Sequence, residues 1–201
     1  MALTTYTELQ TAVAAWLHRS DLTTTIVDCI ALAEEKFNRR LRTRNQELAL
    51  SSTAIDASYQ VAIPSNVVAV KQIWRVDGTL KRLLEAAPQE FINGRQVGDV
   101  ARYYCFGASN FTFDGTGTVA GVLYRNIPAL SGTSTNWLLT NHPSLYLYAT
   151  LAEAAVYTRD NDALALWETR ADAKLAEVQR TESRDAMSGP AAVRVVGAYT
   201  P

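Results

Sequence analysis

The segment PSLYLYATLAEAAVYTRDNDALALWETRADAKLAEVQRTESRDA, residues 143–186, decides the fold. Pro143 stands where a helix can spare an amide hydrogen. Leu147, Leu151, Ala154 and Ala155 then recur at helical spacing and give one apolar face. Arg159-Asp160-Asn161-Asp162 interrupts the pattern. Leu164, Trp167, Ala171, Leu175 and Val178 resume it on a second helix. The segment groups no nucleophile, base or metal ligand. It reads as two long helices, each with an apolar stripe that needs a partner.

The partners stand at the other end of the chain. Thr5 and Glu8 have the spacing of a capping box, in which the hydroxyl accepts from the third helical amide and the carboxylate reaches back. Leu9, Val13, Trp16 and Leu17 follow on one face. His18-Arg19-Ser20-Asp21 breaks the helix, and Asp21 or Thr23 is expected to cap the next. That one carries Ile26, Ile30, Ala33, Phe37 and Leu41 in a single stripe. A short connection favours an antiparallel hairpin. Four apolar helices from opposite ends bury their stripes most economically against one another, so an antiparallel four-helix bundle is expected.

Residues between the helix pairs change period. Leu48 and Leu50 open a strand. Tyr59 to Ile63 alternates before Pro64 stops it, and Val68, Val70, Trp74 and Val76 occupy alternate positions of a longer strand. Asp77-Gly78 predicts a hairpin with a type I′ turn. Pro88 to Ile92 predicts a short helix. Tyr103–Phe106 and Phe111–Phe113 flank Gly107-Ala108-Ser109-Asn110, a further hairpin, and Val119–Tyr124 completes a meander of about six strands. The expected fold class is α+β. Residues 1–44 and 136–186 form the helical bundle, 45–135 a β-rich insertion, and 187–201 an extended C-terminal arm.

Apolar residues make up 48% of the 201 residues and charged ones 19%, the balance of a folded globular chain. A formal net charge of -1 supplies no global attraction to nucleic acid or anionic membrane. Cys29 and Cys105 fall on helical and strand patterns and read as small buried hydrophobes. The N-terminus shows neither the basic region nor the apolar run of a signal peptide. No stretch reaches the ~18 apolar residues of a membrane span. A soluble protein folding in the cytosol is expected, with no membrane partner.

The search for chemistry is thin. His18 and His142 lack metal-spaced companions. Gly107, Gly115 and Gly117 lack the following helix and Lys-Ser/Thr of a phosphate loop. Ser51-Ser52 and the Ser131–Thr135 cluster have no nucleophile-elbow context. Glu34-Glu35 and Glu153 sit on helices, where carboxylates usually face water or pair with arginine. No catalytic residue, metal or cofactor is expected. Lys36, Arg39, Arg40, Arg42 and Arg44, by contrast, pack five cations into nine residues. They suit a helix C-terminus and nearby acids, or a positive patch offered to phosphates or to a partner's acidic residues. No interleaved aromatic platform accompanies them, which argues against sequence-specific or single-strand recognition. Beyond Ser188-Gly189-Pro190, the stretch from Ala191 to Tyr199 has strand-like composition. Val193, Arg194, Val195, Val196 and Tyr199 could form an arm that adds to another subunit's sheet edge or groove.

The order helix pair, β insertion, helix pair, extended tail resembles the head-to-tail connector (tail adaptor) proteins of tailed bacteriophages, the tail tubular protein A-like proteins among them. Local phrases are similar too: Thr4-Thr5-Tyr6-Thr7-Glu8-Leu9, then Trp16 to Leu22, and Ile30 to Arg42. Val61-Ala62-Ile63-Pro64-Ser65-Asn66 is similar to an aliphatic-Pro-Ser-Asp step, with Asn66 in place of the acid. Asn136-Trp137-Leu138-Leu139 and Leu145 to Ala154 match the C-terminal half. The resemblance implies a virion protein at the head-tail interface, assembled in the host cytoplasm as a ring of about twelve copies beneath the portal protein. Such a ring extends the DNA channel, passes packaged DNA without sequence specificity, and offers a platform to a tail nozzle or tail tube protein. It also implies that the C-terminal arm reaches into the portal. Arg39, Arg40, Arg42 and Arg44 are then candidates for channel-facing or intersubunit charge. A different class remains open: a small nucleic-acid-binding regulator or chaperone using the Lys36–Arg44 cluster. An enzyme with carboxylates buried in the bundle is disfavoured, because no paired Glu-x-x-His motif is present.

Overall fold

The computed structural model describes residues 3–95 and 98–186. The fold is mixed α+β, with seven α-helices and two sheets among the described residues. The chain divides into two compact units, a helical one from residues 1–44 and 129–201 and a β-rich one from 45–128.

The helical unit begins with α1, Tyr6–Leu17. Both halves of the expected capping box form: the Glu8 amide donates to Thr5 Oγ1 at 3.3 Å and the Thr5 amide to Glu8 Oε2 at 3.0 Å. Such a cap stabilises a helix by ~1 kcal/mol. Trp16, expected on the buried face with Leu9 and Val13, is 46% exposed. The helix α2, Thr23–Arg40, starts at Leu22 without a side-chain cap. The expected cap at Asp21 fails because its carboxylate accepts from Nε and Nη2 of Arg19 at 2.7 and 2.6 Å. Ile26, Ile30, Ala33, Phe37 and Leu41 are all buried, as the stripe requires.

After the β unit, which contains the short helix α3 (Gln89–Asn93), come α4 (Leu130–Thr133), α5 (Trp137–Asn141), α6 (Pro143–Thr158) and α7 (Asn161–Ala186). The sequence pattern did not mark α4, a single turn in a polar stretch. Arg159 closes α6 with a left-handed φ of 58°. The most enclosed helix is α6: nine of its residues are buried, and it packs on α1, α2, α5 and α7. In α7 the residues Ala171, Leu175 and Val178 are buried, at the predicted spacing.

The β unit holds eight strands: β1 Glu47–Ala54, β2 Gln60–Ala62, β3 Val67–Asp77, β4 Leu80–Leu83, β5 Glu85–Ala86, β6 Tyr103–Phe106, β7 Asn110–Phe113 and β8 Thr118–Arg125. They form two four-stranded sheets, ordered β1-β8-β3-β4 and β2-β7-β6-β5, rather than one six-stranded meander. All pairs are antiparallel except β5 with β6. Leu50, Ile73, Val119 and Leu123 of the first sheet meet Val61, Tyr104, Phe111 and Phe113 of the second in one core. The alternation read through β3 slips, because its pairing with β8 shifts register between Val67 and Ala69 and again between Val70 and Gln72. Each shift inserts a residue and moves later side chains to the opposite face. One shift separates Val70 from Ile73, so Ile73 rather than Trp74 follows Val70 onto the core side.

The β3–β4 hairpin forms where expected, with a different turn. Asp77 pairs with Leu80, so Gly78 and Thr79 are the central residues. Gly78 has φ +61° and Thr79 is not among the positive-φ residues, the requirement of a type II′ turn. The Gly107–Ser109 loop joins β6 to β7 as predicted.

Candidate interaction surfaces

The cationic segment at the end of α2 lies along acidic positions of its neighbours. Lys36 Nζ sits 3.8 Å from Glu153 and 3.6 Å from Glu168. Arg40 Nη1 meets Asp172 at 2.5 Å, and Gln179 Nε2 donates to the Arg40 carbonyl at 2.9 Å. The Arg44 amide donates to Glu182 Oε2 at 3.1 Å, with its guanidinium Nε at 3.6 Å. Three cations of α2 and its exit thus face three acids of α7. Arg42 turns back and donates to the carbonyls of Asn38 and Leu41, closing the end of α2. Arg39 pairs with Glu35 one turn earlier at 3.4 Å, and its side chain is 71% exposed. Exposed pairs of this kind contribute ~0–1 kcal/mol each. Their combined effect is to set the register of α7, which buries a narrow apolar stripe.

A second polar cluster lies inside the helical unit, where sequence reasoning placed water-facing carboxylates. Glu34 is buried. Its Oε1 accepts from the Leu130 amide at 2.9 Å and the Tyr146 hydroxyl at 3.2 Å. Asn136 Nδ2 in turn donates to Tyr146 Oη at 2.7 Å, while its Oδ1 caps α5 by accepting from the Leu139 amide. The network joins α2, α4, α5 and α6. Only the Asn136 cap position could have been read from sequence.

Burial raises the Glu34 carboxyl pKa; the two donated hydrogen bonds oppose that shift without cancelling it. The folded protein therefore holds this proton more tightly than the unfolded chain. The resulting stabilisation is fully present below the ordinary carboxylate pKa of about 4.3 and is lost as pH rises through the folded value. Glu34→Gln keeps an acceptor oxygen and has no charge to desolvate. It is expected to exceed the wild type in stability at pH 8 and to converge on it toward pH 4. Urea midpoints measured across that range check this; a difference independent of pH would refute it.

Three aromatic rings meet where α1, α6 and α7 come together. Tyr148 stacks on Trp167 at 5.8 Å, and Trp16 lies edge-on to both, 6.3 and 5.4 Å away. The Arg170 guanidinium lies 5.2 Å from the Trp167 ring and 5.9 Å from Tyr148.

The other groups weighed for chemistry stay apart. His18 is the left-handed cap of α1. His142 precedes α6 and lines a recess of about 190 Å³ with Lys174 and Glu177; burial lowers its pKa. Cys29 and Cys105 are both free thiols, the first buried and pushed up to about 11. Cys105 is half-buried rather than enclosed as expected. Among the described residues no three His, Cys, Asp or Glu side chains gather as metal ligands would, and no helix is long and apolar enough to cross a membrane. The arm residues Val193, Arg194, Val195, Val196 and Tyr199 lie outside the described residues.

The chain belongs to the SU10 adaptor protein family, whose model matches residues 4–194. This is a family of bacteriophage structural adaptor proteins. No curated protein matches the chain.

Proposed function

We propose that this protein is a head-to-tail adaptor whose copies close into a ring beneath the portal, twelvefold as the sequence resemblance implies. The ring extends the DNA channel and offers a platform to a tail nozzle or tube protein. In this reading α1, α2, α6 and α7 act as an antiparallel four-helix bundle, residues 45–128 as a β lobe, shorter than the 45–135 read from sequence because α4 joins the helical unit, and residues 187–201 as an arm that anchors in the portal through Val193, Val195, Val196 and Tyr199. Of the arginines at the end of α2, Arg39, with 71% of its side chain exposed, supplies intersubunit or channel-facing charge, while Arg40 and Arg44 hold acids of α7 and Arg42 closes α2, so those three serve a neighbour only by exchanging partners.

The observation that carries the proposal is the adaptor-family match over almost the whole chain. The ion pairs of Lys36, Arg40 and Arg44 with acids of this same chain weigh against the regulator reading, since a phosphate backbone would have to displace them. A ring divides the binding energy over repeated interfaces, and closure multiplies modest individual contacts.

Deleting residues 189–201 is expected to leave the thermal midpoint within about 2 °C of the full chain while abolishing attachment to portal rings, as read by negative-stain electron microscopy of the mixture. Attachment by the shortened protein would remove the arm from the proposal. Submicromolar binding of duplex DNA by the isolated subunit, with a steep salt dependence, would favour the regulator instead.

A further inference from the structure

The sheet β1-β8-β3-β4 has two outer strands, β4 and β1. All four residues of β4 are exposed, Leu80 by 60% and Leu83 by 67%. Its outer edge can be assigned residue by residue. The Leu84 amide donates to the Ile73 carbonyl, so the amides of Lys81 and Leu83, at odd offsets from it, point away from β3. At Glu85 that same edge turns inward, and the Glu85 amide donates to the Arg102 carbonyl. Between the edge and residues 100–103 the chain splays into a recess of about 520 Å³, lined by Arg82, Leu83, Glu85, Val100 and Arg102 among others.

The opposite edge complements this one. From Glu47 to Leu50, β1 keeps regular register with β8, four residues to match the four of β4, before its pairing becomes irregular toward Thr53. Ala49 pairs with Val122 and Val122 with Gln72, two residues from Trp74, which pairs with Leu83. Glu47, Ala49, Lys81 and Leu83 therefore share one face of the sheet. Every neighbouring pair in this sheet is antiparallel, and its strand number is even. A second copy in the same orientation thus presents its β1 antiparallel to β4. Glu47 of that copy arrives at the Leu83 end, diagonal to Lys81 on the same face. Pairing β4 with β4 would instead set Lys81 or Arg82, according to register, against its own copy, which like-charge repulsion disfavours.

Given the ring reading above, we propose that adjacent copies join by β4 of one pairing antiparallel with β1 of the next, carrying the sheet from subunit to subunit. Such a contact is heterologous, with different surfaces on its two sides, which is what a ring of identical copies requires. In the register that sets Glu47 opposite Leu83, Ala49 stands opposite Lys81. Lys81 and Arg82 also protect the edge in the free subunit from indiscriminate strand pairing.

The test uses the full chain carrying both Ala49→Cys and Lys81→Cys, two exposed positions, oxidised mildly after mixing with portal and run on a non-reducing gel. A ladder of covalent multimers is expected, with wild type and each single variant remaining monomeric. Rings visible by microscopy without a ladder would overturn this interface and leave the ring reading intact. Dimers from Lys81→Cys alone would also overturn it, in favour of β4–β4 pairing. A wild type that forms no rings by microscopy, with or without portal, would remove the ring reading and this interface together. Leu83→Pro supplies a second measurement. It deletes an outward amide without touching the ladder to β3, and is expected to cut ring yield at least tenfold at an unchanged thermal midpoint. Unchanged yield in a folded variant would overturn the pairing.

Discussion

Tyr146→Ala is expected to destabilise the helical unit by about 3–5 kcal/mol, the scale for removing an enclosed aromatic side chain. Tyr146 is fully buried on α6, edge-on to Phe37 of α2 at 5.0 Å. Its ring joins two helices distant in sequence, and its hydroxyl is the middle link between Asn136 and Glu34. Truncation leaves a cavity and also strips a donor from a buried carboxylate and an acceptor from a buried amide. Tyr146→Phe separates the two effects. It keeps the ring and takes one hydrogen bond from each buried partner, which is expected to cost about 1–3 kcal/mol. Denaturant unfolding of the pair of variants gives the measurement. If alanine cost no more than phenylalanine, the ring would not be what holds α6 to α2.

The helices were legible because their stripes repeat over many turns: Ile26, Ile30, Ala33 and Phe37, or Ala171, Leu175 and Val178, hold the same face throughout. Trp16 escaped the pattern because one ring at the edge of a stripe can contact Tyr148 and Trp167 while half of it faces solvent. The strands were located but their topology was not. Period 2 names a face only while register is kept, and the register shift between Val70 and Gln72 puts Ile73 where alternation from Val70 placed Trp74. Nor does period 2 say which strands adjoin. The pairing of β1 with β8 spans the whole β unit and leaves no local mark. Glu34 shows the same limit for the polar network. On a helix beside Glu35 it looks like a surface carboxylate, and its partners Leu130 and Tyr146 are about a hundred residues away.

Phe111→Ala is expected to cost the β unit about 3–5 kcal/mol as well. Phe111 lies on β7, opposite Val61 of β2 and Phe106 of β6, with no exposed surface. Its ring contacts those of Tyr104, Phe106 and Phe113 at centroid distances of 6.3, 5.5 and 6.5 Å. Phe106, 40% exposed on the neighbouring strand, gives an internal comparison. Its truncation forfeits one ring contact and only part of a buried side chain's surface, so a smaller loss of about 1–2 kcal/mol is expected. The chain divides into two compact units, which makes the location of the damage as informative as its size. Segment-resolved hydrogen exchange on Phe111→Ala should show faster exchange through β6, β7 and β8 while amides of α6 keep their protection. Loss of α6 protection in step with the strands would mean that the chain opens as one cooperative body, and that a core substitution in either unit reports on both.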